Sequence, residues 1–325
     1  LFYLFALSPL PLEEVGIRVI SAFFLTFVVR SNKLFGTDTY CSPSNKKIMN
    51  KEYLLFVPSG GLANRMRALA SAYNLSQHTG VQTEVVWFCD WALNAPFNSI
   101  FEPLSEECFC VREAEKQDIL TLDRPRKRNF KLPLLYQLLR FEQRIDEWQV
   151  TPLKQKAFDF ETWAVGKKSY MSCYQDFGNV ENALYRSLFH PVQAVLDEVE
   201  RYQTSFTDHT FGLHIRRTDN RESIERSPIS MFIDAVEHEI EVHEDARFFL
   251  ATDDEVTKDT LRSRFADRII TPETPASRSD ISGIRSGLAA MWTLAATQTI
   301  YGSAGSSFSV MAAKVGGNQL QILSK

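Results

Sequence analysis

Short apolar segments alternate with helix-like segments through the last third of the chain, and this alternation limits the fold more than any other feature. Apolar runs at residues 211–215, 247–251, 268–271 and 299–301 are typical of strands, and the segments between them are typical of helices. Strands that alternate with helices form parallel sheets covered on both faces. We therefore predict a doubly wound α/β domain over residues 201–325.

The same pattern occurs near residue 53. A predicted strand at 53–58 is followed by the pair Gly60-Gly61, a helix that ends before Gly80, and a second strand at 84–88. This β-loop-α-β unit predicts a Rossmann-like domain over residues 49–200. We expect the two domains to face one cleft, because ligands of such sheets bind at the carboxyl ends of the strands.

The first 48 residues differ from the rest of the sequence. Their apolar run at 19–29 is eleven residues long and is closed by Arg18 and Arg30, whereas a membrane span needs roughly 20 residues. Met49 is the first methionine, so we expect residues 1–48 to be a non-native upstream leader, with a short membrane anchor as the alternative. A chain expressed from Met49 would be insoluble or inactive if the leader were essential. With no leader, we expect a cytoplasmic protein.

Charge and cysteine content exclude several classes of protein. The 36 Lys and Arg residues against 40 Asp and Glu residues give a net charge of −4, so no global positive field attracts nucleic acid. The basic segment 124–128 lacks interleaved aromatic residues and predicts a solvated loop. The cysteines lack the paired spacing of metal or redox sites, so we expect reduced thiols. They are Cys41, Cys89, Cys108, Cys110 and Cys173.

Three loops carry residues suited to anion binding, and the first joins the strand at 53–58 to its helix. Gly60 and Gly61 let the backbone approach a ligand, and the helix N-terminus offers free N–H groups. Asn64 and Arg65 lie in the first turn of the helix. A positive charge there is electrostatically unfavourable unless it binds an anion. The loop predicts a phosphate or sugar contact, with a ligand-free structural turn as the alternative.

The second loop, HIRRTD at residues 214–219, ends the predicted strand at 211–215. Its two adjacent arginines point in different directions, so one can bind a phosphate while the other pairs with a carboxylate or packs. His214 and Arg216 project to the same side of the strand, which predicts a joint role. The alternative is a solvated pair held by Asp219 and Glu222.

The third loop, GSAGSSFS at residues 302–309, again leads from a strand to a helix. Small residues with hydroxyl and N–H groups in that place form an anion cradle. The loop lacks the Gly-Lys-Ser/Thr ending of a P-loop, which argues against ordinary ATPase chemistry. A serine-rich turn with an N-cap is the alternative.

These loops, together with FLATDD at 249–254, occur in the order seen in fucosyltransferases of the α1,6 and protein O-fucosylating superfamily. The chain resembles a GT-B glycosyltransferase that uses GDP-fucose. The resemblance covers most of residues 53–88 and nearly all of 210–315, and HIRRTD is its strongest element. It implies inverting transfer of fucose to a glycan hydroxyl, with a nucleotide-sugar donor and a glycan acceptor as partners.

The resemblance also implies roles for particular residues. Arg216 would bind the β-phosphate, His214 would touch the nucleotide, and Ser306 and Ser307 would hold the diphosphate. Further donor contacts are expected at Gly60, Gly61, Asn64, Arg65, Arg217, Asp253 and Asp254. A purely structural alternative for the two aspartates is a cap on the helix that begins at Asp254.

No metal cofactor is expected, although Thr252-Asp253-Asp254 could be mistaken for a D-x-D metal site. Arg216, the amides of Ser306 and Ser307, and a helix dipole already supply positive potential for the departing diphosphate. A carboxylate within hydrogen-bond reach of the attacking hydroxyl would help by accepting its proton. The candidates are Asp219, Glu222 and Glu225.

The sequence departs from the superfamily pattern at the residue that recognises the base of the donor. The superfamily often has an acid that recognises guanine in the helix corresponding to residues 283–296, but LAAM at 288–291 provides none. Asp280 is a candidate substitute. The alternatives are therefore another nucleotide sugar as donor, or a nucleotide- or glycan-binding protein without turnover.

Overall fold

The computed structural model describes four stretches of the chain, residues 52–122, 131–218, 221–273 and 277–325. The predictions about residues 1–48, about the basic segment 124–128 and about Asp219 lie outside these stretches. Two sheets, each with helices against it, make up the described chain.

The first sheet has six strands in the order β3-β4-β2-β1-β6-β5. All neighbours pair in parallel except β3 and β4. The central strand β1 is buried on both faces, which is why its sequence YLLFVP is nearly continuous in apolar residues. The strands are β1 (Tyr53–Pro58), β2 (Thr83–Trp87), β3 (Ser105–Glu106), β4 (Phe109–Glu113), β5 (Gln143–Ile145) and β6 (Lys168–Cys173).

Among the described residues of this part of the chain, seven α-helices occur. The longest, α1, ends at Gly80, whose left-handed backbone (φ 72°) and N–H bond to the Ser76 carbonyl close the last turn. The helices are α1 (Leu62–Thr79), α2 (Lys116–Thr121), α3 (Lys131–Arg140), α4 (Val150–Gln155), α5 (Phe160–Ala164), α6 (Asn182–Leu188) and α7 (Gln193–Gln203).

The second sheet has five parallel strands in the order β11-β10-β7-β8-β9. The strands are β7 (Thr210–Ile215), β8 (Arg247–Thr252), β9 (Ile269–Ile270), β10 (Thr299–Ser303) and β11 (Gln319–Leu323). The helices are α8 (Arg221–Arg226), α9 (Ile229–Val242), α10 (Glu255–Phe265), α11 (Ile281–Leu294) and α12 (Ser307–Gly316). Strands β8 and β9 follow β7 on one side of the sheet, and β10 and β11 then lie on the other side. The strand order therefore reverses between β7 and β10, and sheets of this kind bind ligands at such a switch point.

One continuous core joins the two sheets. Helix α12 packs against α1 and α6, and α11 packs against α7. Buried side chains of both sheets, such as Phe56 and Phe249, belong to the same hydrophobic cluster. The predicted fold class, α/β with doubly wound parallel sheets, is confirmed.

Three local predictions in the second sheet need correction. Strand β11 was not predicted, because its residues QLQIL are mostly exposed at the sheet edge and lack an apolar run. The segment after the HIRRTD loop forms the short helix α8, which was not predicted. The pair Ser227-Pro228 is typical of an N-cap and first helical turn, but the buried Ser227 hydroxyl donates to the Leu323 carbonyl at 2.6 Å and accepts from the Ala304 N–H at 2.9 Å. It therefore ties β11 to the loop after β10.

The expectation of five reduced cysteines is wrong for Cys110, which is disulfide-bonded. Cys89, Cys108 and Cys173 are free thiols, and burial raises the pKa of Cys173 to about 12. Within the four described stretches, no helix combines the length and the hydropathy needed to cross a bilayer.

Candidate active site

A cleft of about 380 Å³ lies at the carboxyl ends of β7, β8 and β10, where loops from both sheets meet. Each of the three predicted anion-binding loops contributes to its lining. The predicted site residues that line it are Gly61, Asn64, His214, Arg216, Asp253, Ser306 and Ser307.

His214 and Arg216 are held at the end of β7 by the neighbouring strand β10. The Ser303 hydroxyl accepts from the Arg216 N–H at 3.1 Å and bonds to the His214 carbonyl at 3.3 Å. The imidazole of His214 stacks on Phe308 with ring centroids 4.8 Å apart, and its Nδ1 atom is buried with no hydrogen-bond partner. Burial, assisted by the charge of Arg216, lowers the pKa of His214 to about 4. The cleft therefore holds a neutral imidazole with one unused polar atom.

The depressed pKa of His214 predicts a loss of stability in acid. Between the unfolded-state pKa of 6.5 and the folded-state pKa of about 4, the unfolded chain binds a proton that the folded protein does not. Stability contributed by neutral His214 is thus complete above this window and falls as the pH drops through it. We expect the unfolding free energies of the wild type and His214→Gln to converge by about 2 kcal/mol from about pH 7.5 to about pH 5. Urea titrations measure this difference, and a constant difference would contradict it.

The third loop places the N-terminus of α12 in the cleft. Gly305 adopts φ 69°, a left-handed conformation that favours glycine. Ser306 is the N-cap of α12, and its hydroxyl accepts from the Phe308 N–H at 3.4 Å. Gly302 must also be small, because a Cβ atom there would lie 2.7 Å from the Ser309 hydroxyl oxygen. The result is a helix N-terminus, the positive end of its dipole, beside Arg216.

The first loop brings Asn64 to the opposite side of the cleft. Gly60 has φ 82°, and a Cβ atom there would approach the Asn64 amide nitrogen to 3.0 Å. Gly61 occupies the N-cap position of α1 and provides no side-chain cap. The Oδ1 atom of Asn64 is buried without a hydrogen-bond partner, as expected of a group that accepts from a ligand.

Arg65 does not line the cleft. Its side chain is fully buried, 2.9 Å from the Asp90 carboxylate, and it donates to the carbonyls of Gly60 and Phe88. The guanidinium also lies 4.8 Å from the centroid of the Trp87 ring. The anion that Arg65 binds is therefore the Asp90 carboxylate of the same chain. The sequence argument, which predicted a contact with the donor, did not anticipate this pairing.

Asp253 lines the cleft and orders the loop after β7. Its two carboxylate oxygens accept from the Arg217 N–H and from the Thr218 hydroxyl, each at 2.7 Å. The Arg217 guanidinium lies 3.4 Å from the carbonyls of Ile224 and Ser227. The two arginines point in different directions, as predicted, and Arg216 is the one that lines the cleft.

Asp254 and Asp280 both cap helices. Asp254 accepts from the Thr257 N–H at 2.8 Å and begins α10, while Asp280 accepts from the Gly283 N–H at 2.8 Å and begins α11. Neither is part of the cleft lining. In the described part of the chain, no three His, Cys, Asp or Glu side chains group in a way that could hold a metal ion. Metal independence stays a prediction.

The candidate proton acceptors lie on or near α8. Glu222 pairs with Arg226 and Glu225 pairs with Arg221, each at 2.6 Å, and both carboxylates are more than half exposed. They are outside the cleft lining. With Asp219 outside the described stretches, the identity of the proton acceptor stays a prediction.

Several residues of the lining were not predicted from the sequence. Trp91 follows the end of β2, and Thr271 directly follows β9, so the rule that ligands bind at carboxyl ends of strands could have found both. Lys258 carries no such signal, because it lies inside helix α10. The further unpredicted polar or small lining residues are Ser277, Arg278, Gly283, Ser286, Gly287 and Ala290.

The sequence matches no known protein-family profile and no curated protein. The fold, in contrast, is similar to solved fucosyltransferases. NodZ from Bradyrhizobium has a TM-score of 0.56 at 19% identity over 80% of this chain and 92% of that chain. NodZ α1,6-fucosyltransferase soaked with GDP-fucose has a TM-score of 0.56 at 18% identity over 81% and 92%. A mutant of Arabidopsis thaliana FUT1 in complex with GDP has a TM-score of 0.58 at 17% identity over 84% and 70%.

These similarities establish that the chain has a GT-B-like fold, similar to the folds of these solved fucosyltransferases. They confirm, at the level of fold, the resemblance that the loop sequences indicated. At identities of 17–19% they do not by themselves assign an activity.

Proposed function

We propose that this protein is an inverting, metal-independent glycosyltransferase that transfers fucose from GDP-fucose to a glycan hydroxyl. The observation that carries the proposal is the meeting of Arg216, His214 and the N-terminus of α12 at the β7/β10 switch point. The NodZ and FUT1 structures of similar fold, which hold GDP-fucose or GDP, support the choice of donor.

The donor diphosphate would lie between Arg216 and the amides of Ser306 and Ser307. Cleavage of the sugar–phosphate bond leaves negative charge on the diphosphate, and fixed donors in a partly buried cleft stabilise that charge as it develops. Neutral His214 can bond to the nucleotide without placing a second cation beside Arg216. Asn64, from the other side of the cleft, can accept from a donor hydroxyl.

The acceptor hydroxyl would attack from the face opposite the departing diphosphate, which inverts the anomeric carbon. We propose that residues 49–200 bind the acceptor and residues 201–325 bind the donor. The proton would pass to Asp219, Glu222 or Glu225, and any of these must come within hydrogen-bond reach of the acceptor.

Donor screening by mass spectrometry tests the proposal. We expect product from GDP-fucose and a mixed glycan pool, and much less from UDP, CDP or ADP sugars. A non-catalytic nucleotide-binding protein is the second candidate, which the position of Glu222 and Glu225 outside the cleft lining favours. Such a protein would be stabilised by GDP in a thermal unfolding experiment but would form no product with any glycan.

Metal independence is tested by chelation. We expect transfer to continue at an unchanged rate in excess EDTA, because a guanidinium and helix amides supply the positive potential in this proposal. The rate is measured with and without added Mg²⁺ or Mn²⁺ after dialysis. Activity that disappears in EDTA and returns with either ion would contradict the prediction.

A further inference from the structure

The cleft continues beyond the phosphate end towards β9 and α11, and its lining there contains Lys258 and Thr271. On the basis of the function proposed above, we propose that Lys258 and Thr271 recognise the donor's base as a 6-oxopurine, through the O6 and N7 acceptors of its ring. This differs from recognition by a carboxylate, which would bond to the N1–H and N2–H groups of guanine.

Lys258 is a buried cation whose ammonium has more N–H donors than its contact with Glu255 uses. Its side chain is 5% exposed, and its ammonium donates to Glu255 at 2.7 Å, while Glu255 itself is 58% exposed. An ammonium has three N–H donors, and burying it is costly unless they are bonded. Lysine bonds well to the adjacent O6 and N7 acceptors of guanine, as in the major groove of DNA. A 6-oxopurine in this part of the cleft would supply the acceptors that Glu255 does not.

Thr271 adds an unused hydroxyl at the same end. It is 6% exposed, and its Oγ1 atom is buried with no hydrogen-bond partner. The same is true of Asn64 Oδ1 and His214 Nδ1, which also line the cleft. Buried polar atoms are nearly always bonded in folded proteins, and these three line one cleft, as expected of groups that bond to a polar ligand.

The lining is poor in carboxylates. Asp253 is the only acid among the described residues that line the cleft, and both of its oxygens already accept hydrogen bonds from Arg217 and Thr218. Helix α11 contributes no carboxylate to the lining, and the hydroxyl of its Ser286, which also lines the cleft, donates to Glu198 at 2.9 Å. The N1–H and N2–H groups of guanine therefore meet no free carboxylate of the described lining, whereas O6 and N7 can meet Lys258.

Nucleotide affinities of the full chain, measured by calorimetry, test this inference. GDP and IDP share O6 and N7, and IDP lacks only the N2 amino group, so we expect their dissociation constants to agree within about threefold. ADP replaces O6 by an amino donor, which would face the Lys258 ammonium. We expect ADP to bind roughly tenfold more weakly or worse.

Variants separate a base contact from a structural ion pair. Lys258→Met keeps the length of the side chain and should weaken GDP and IDP binding roughly tenfold, with little change for ADP. Thr271→Val should weaken GDP and IDP by a smaller factor. Glu255→Gln is the matched control, because it removes the partner of Lys258 but leaves the ammonium, and GDP affinity should be retained. Thermal unfolding of each variant shows that it is folded.

The outcomes distinguish this inference from the proposed function. If no nucleoside diphosphate binds the wild type, the proposed function fails, and the inference that rests on it fails as well. If GDP binds but IDP binds more than tenfold more weakly, a group such as a carboxylate recognises the N2 amino group of guanine. That result overturns the inference but leaves the proposed function standing. GDP affinity that is unchanged in Lys258→Met, or reduced equally in Glu255→Gln, also overturns it.

Discussion

Replacing Arg216 by alanine is expected to reduce the transfer rate by roughly two to three orders of magnitude, a cost of about 3–4 kcal/mol in the transition state. Arg216 lines the cleft at the switch point together with Ser306 and Ser307 at the N-terminus of α12, and its guanidinium would meet the departing diphosphate there. Charge that develops during the reaction benefits most from donors already held in place, and the bond from the Arg216 N–H to Ser303 holds this segment. Single-turnover transfer from GDP-fucose, followed by mass spectrometry, measures the effect.

Arg264→Ala is the matched control for this prediction. Arg264 lies on the surface of α10 and pairs with Glu237 in an exposed ion pair, so its loss should change neither turnover nor folding by more than about 1 kcal/mol. The unfolding curve of Arg216→Ala should match the wild type closely. Near-normal turnover in Arg216→Ala would remove the residue from the mechanism.

Replacing Arg65 by methionine is expected to destabilise the protein by about 3–5 kcal/mol, because it leaves the Asp90 carboxylate buried without its partner. The pair is nearly inaccessible to solvent, and Arg65 also bonds to two carbonyls, one in the Gly60 loop and one at the end of β2. Asp90 in turn accepts from the Ala92 N–H at 2.8 Å. Equilibrium unfolding in urea measures the loss.

Two further variants show whether the pair is the cause. Arg67→Ala removes an arginine two positions along α1 that is partly exposed and lies 3.9 Å from Asp176, and it should cost about 1 kcal/mol or less. The double variant Arg65→Met, Asp90→Asn removes both charges and should recover part of the loss. A double variant that is less stable than Arg65→Met would show that the buried charge of Asp90 does not cause the loss of stability.

The loops of the cleft were the most predictable part of the protein. His214 and Arg216 were expected to project to the same side of a strand; both line the cleft, although β7 ends at Ile215 and Arg216 lies just beyond it. Ser306 was expected to lie before a helix, and it caps α12. Both features depend on a few consecutive residues, so their own sequence was enough to predict them.

Contacts between distant segments were not predictable in this way. Arg65 looked like a ligand for an external anion, because nothing near it in sequence indicates that Asp90 folds against it. Ser227 looked like a helix cap, although it bonds to Leu323 nearly a hundred positions later. Lys258 is one of several polar residues along α10, and only the packing of that helix beside the cleft distinguishes it.

The sequence by itself determined the alternation of strands and helices, the three loops at strand ends and the residue types able to bind an anion. These follow from backbone geometry and side-chain chemistry over a few residues. The tertiary structure decided that Arg216 lies in the cleft and that Arg65 is paired with a carboxylate inside the core. It also decided which buried polar atoms of the described residues have no hydrogen-bond partner. Those outcomes depend on desolvation and pairing between segments far apart in the chain, and such interactions exist only once the two sheets have packed together.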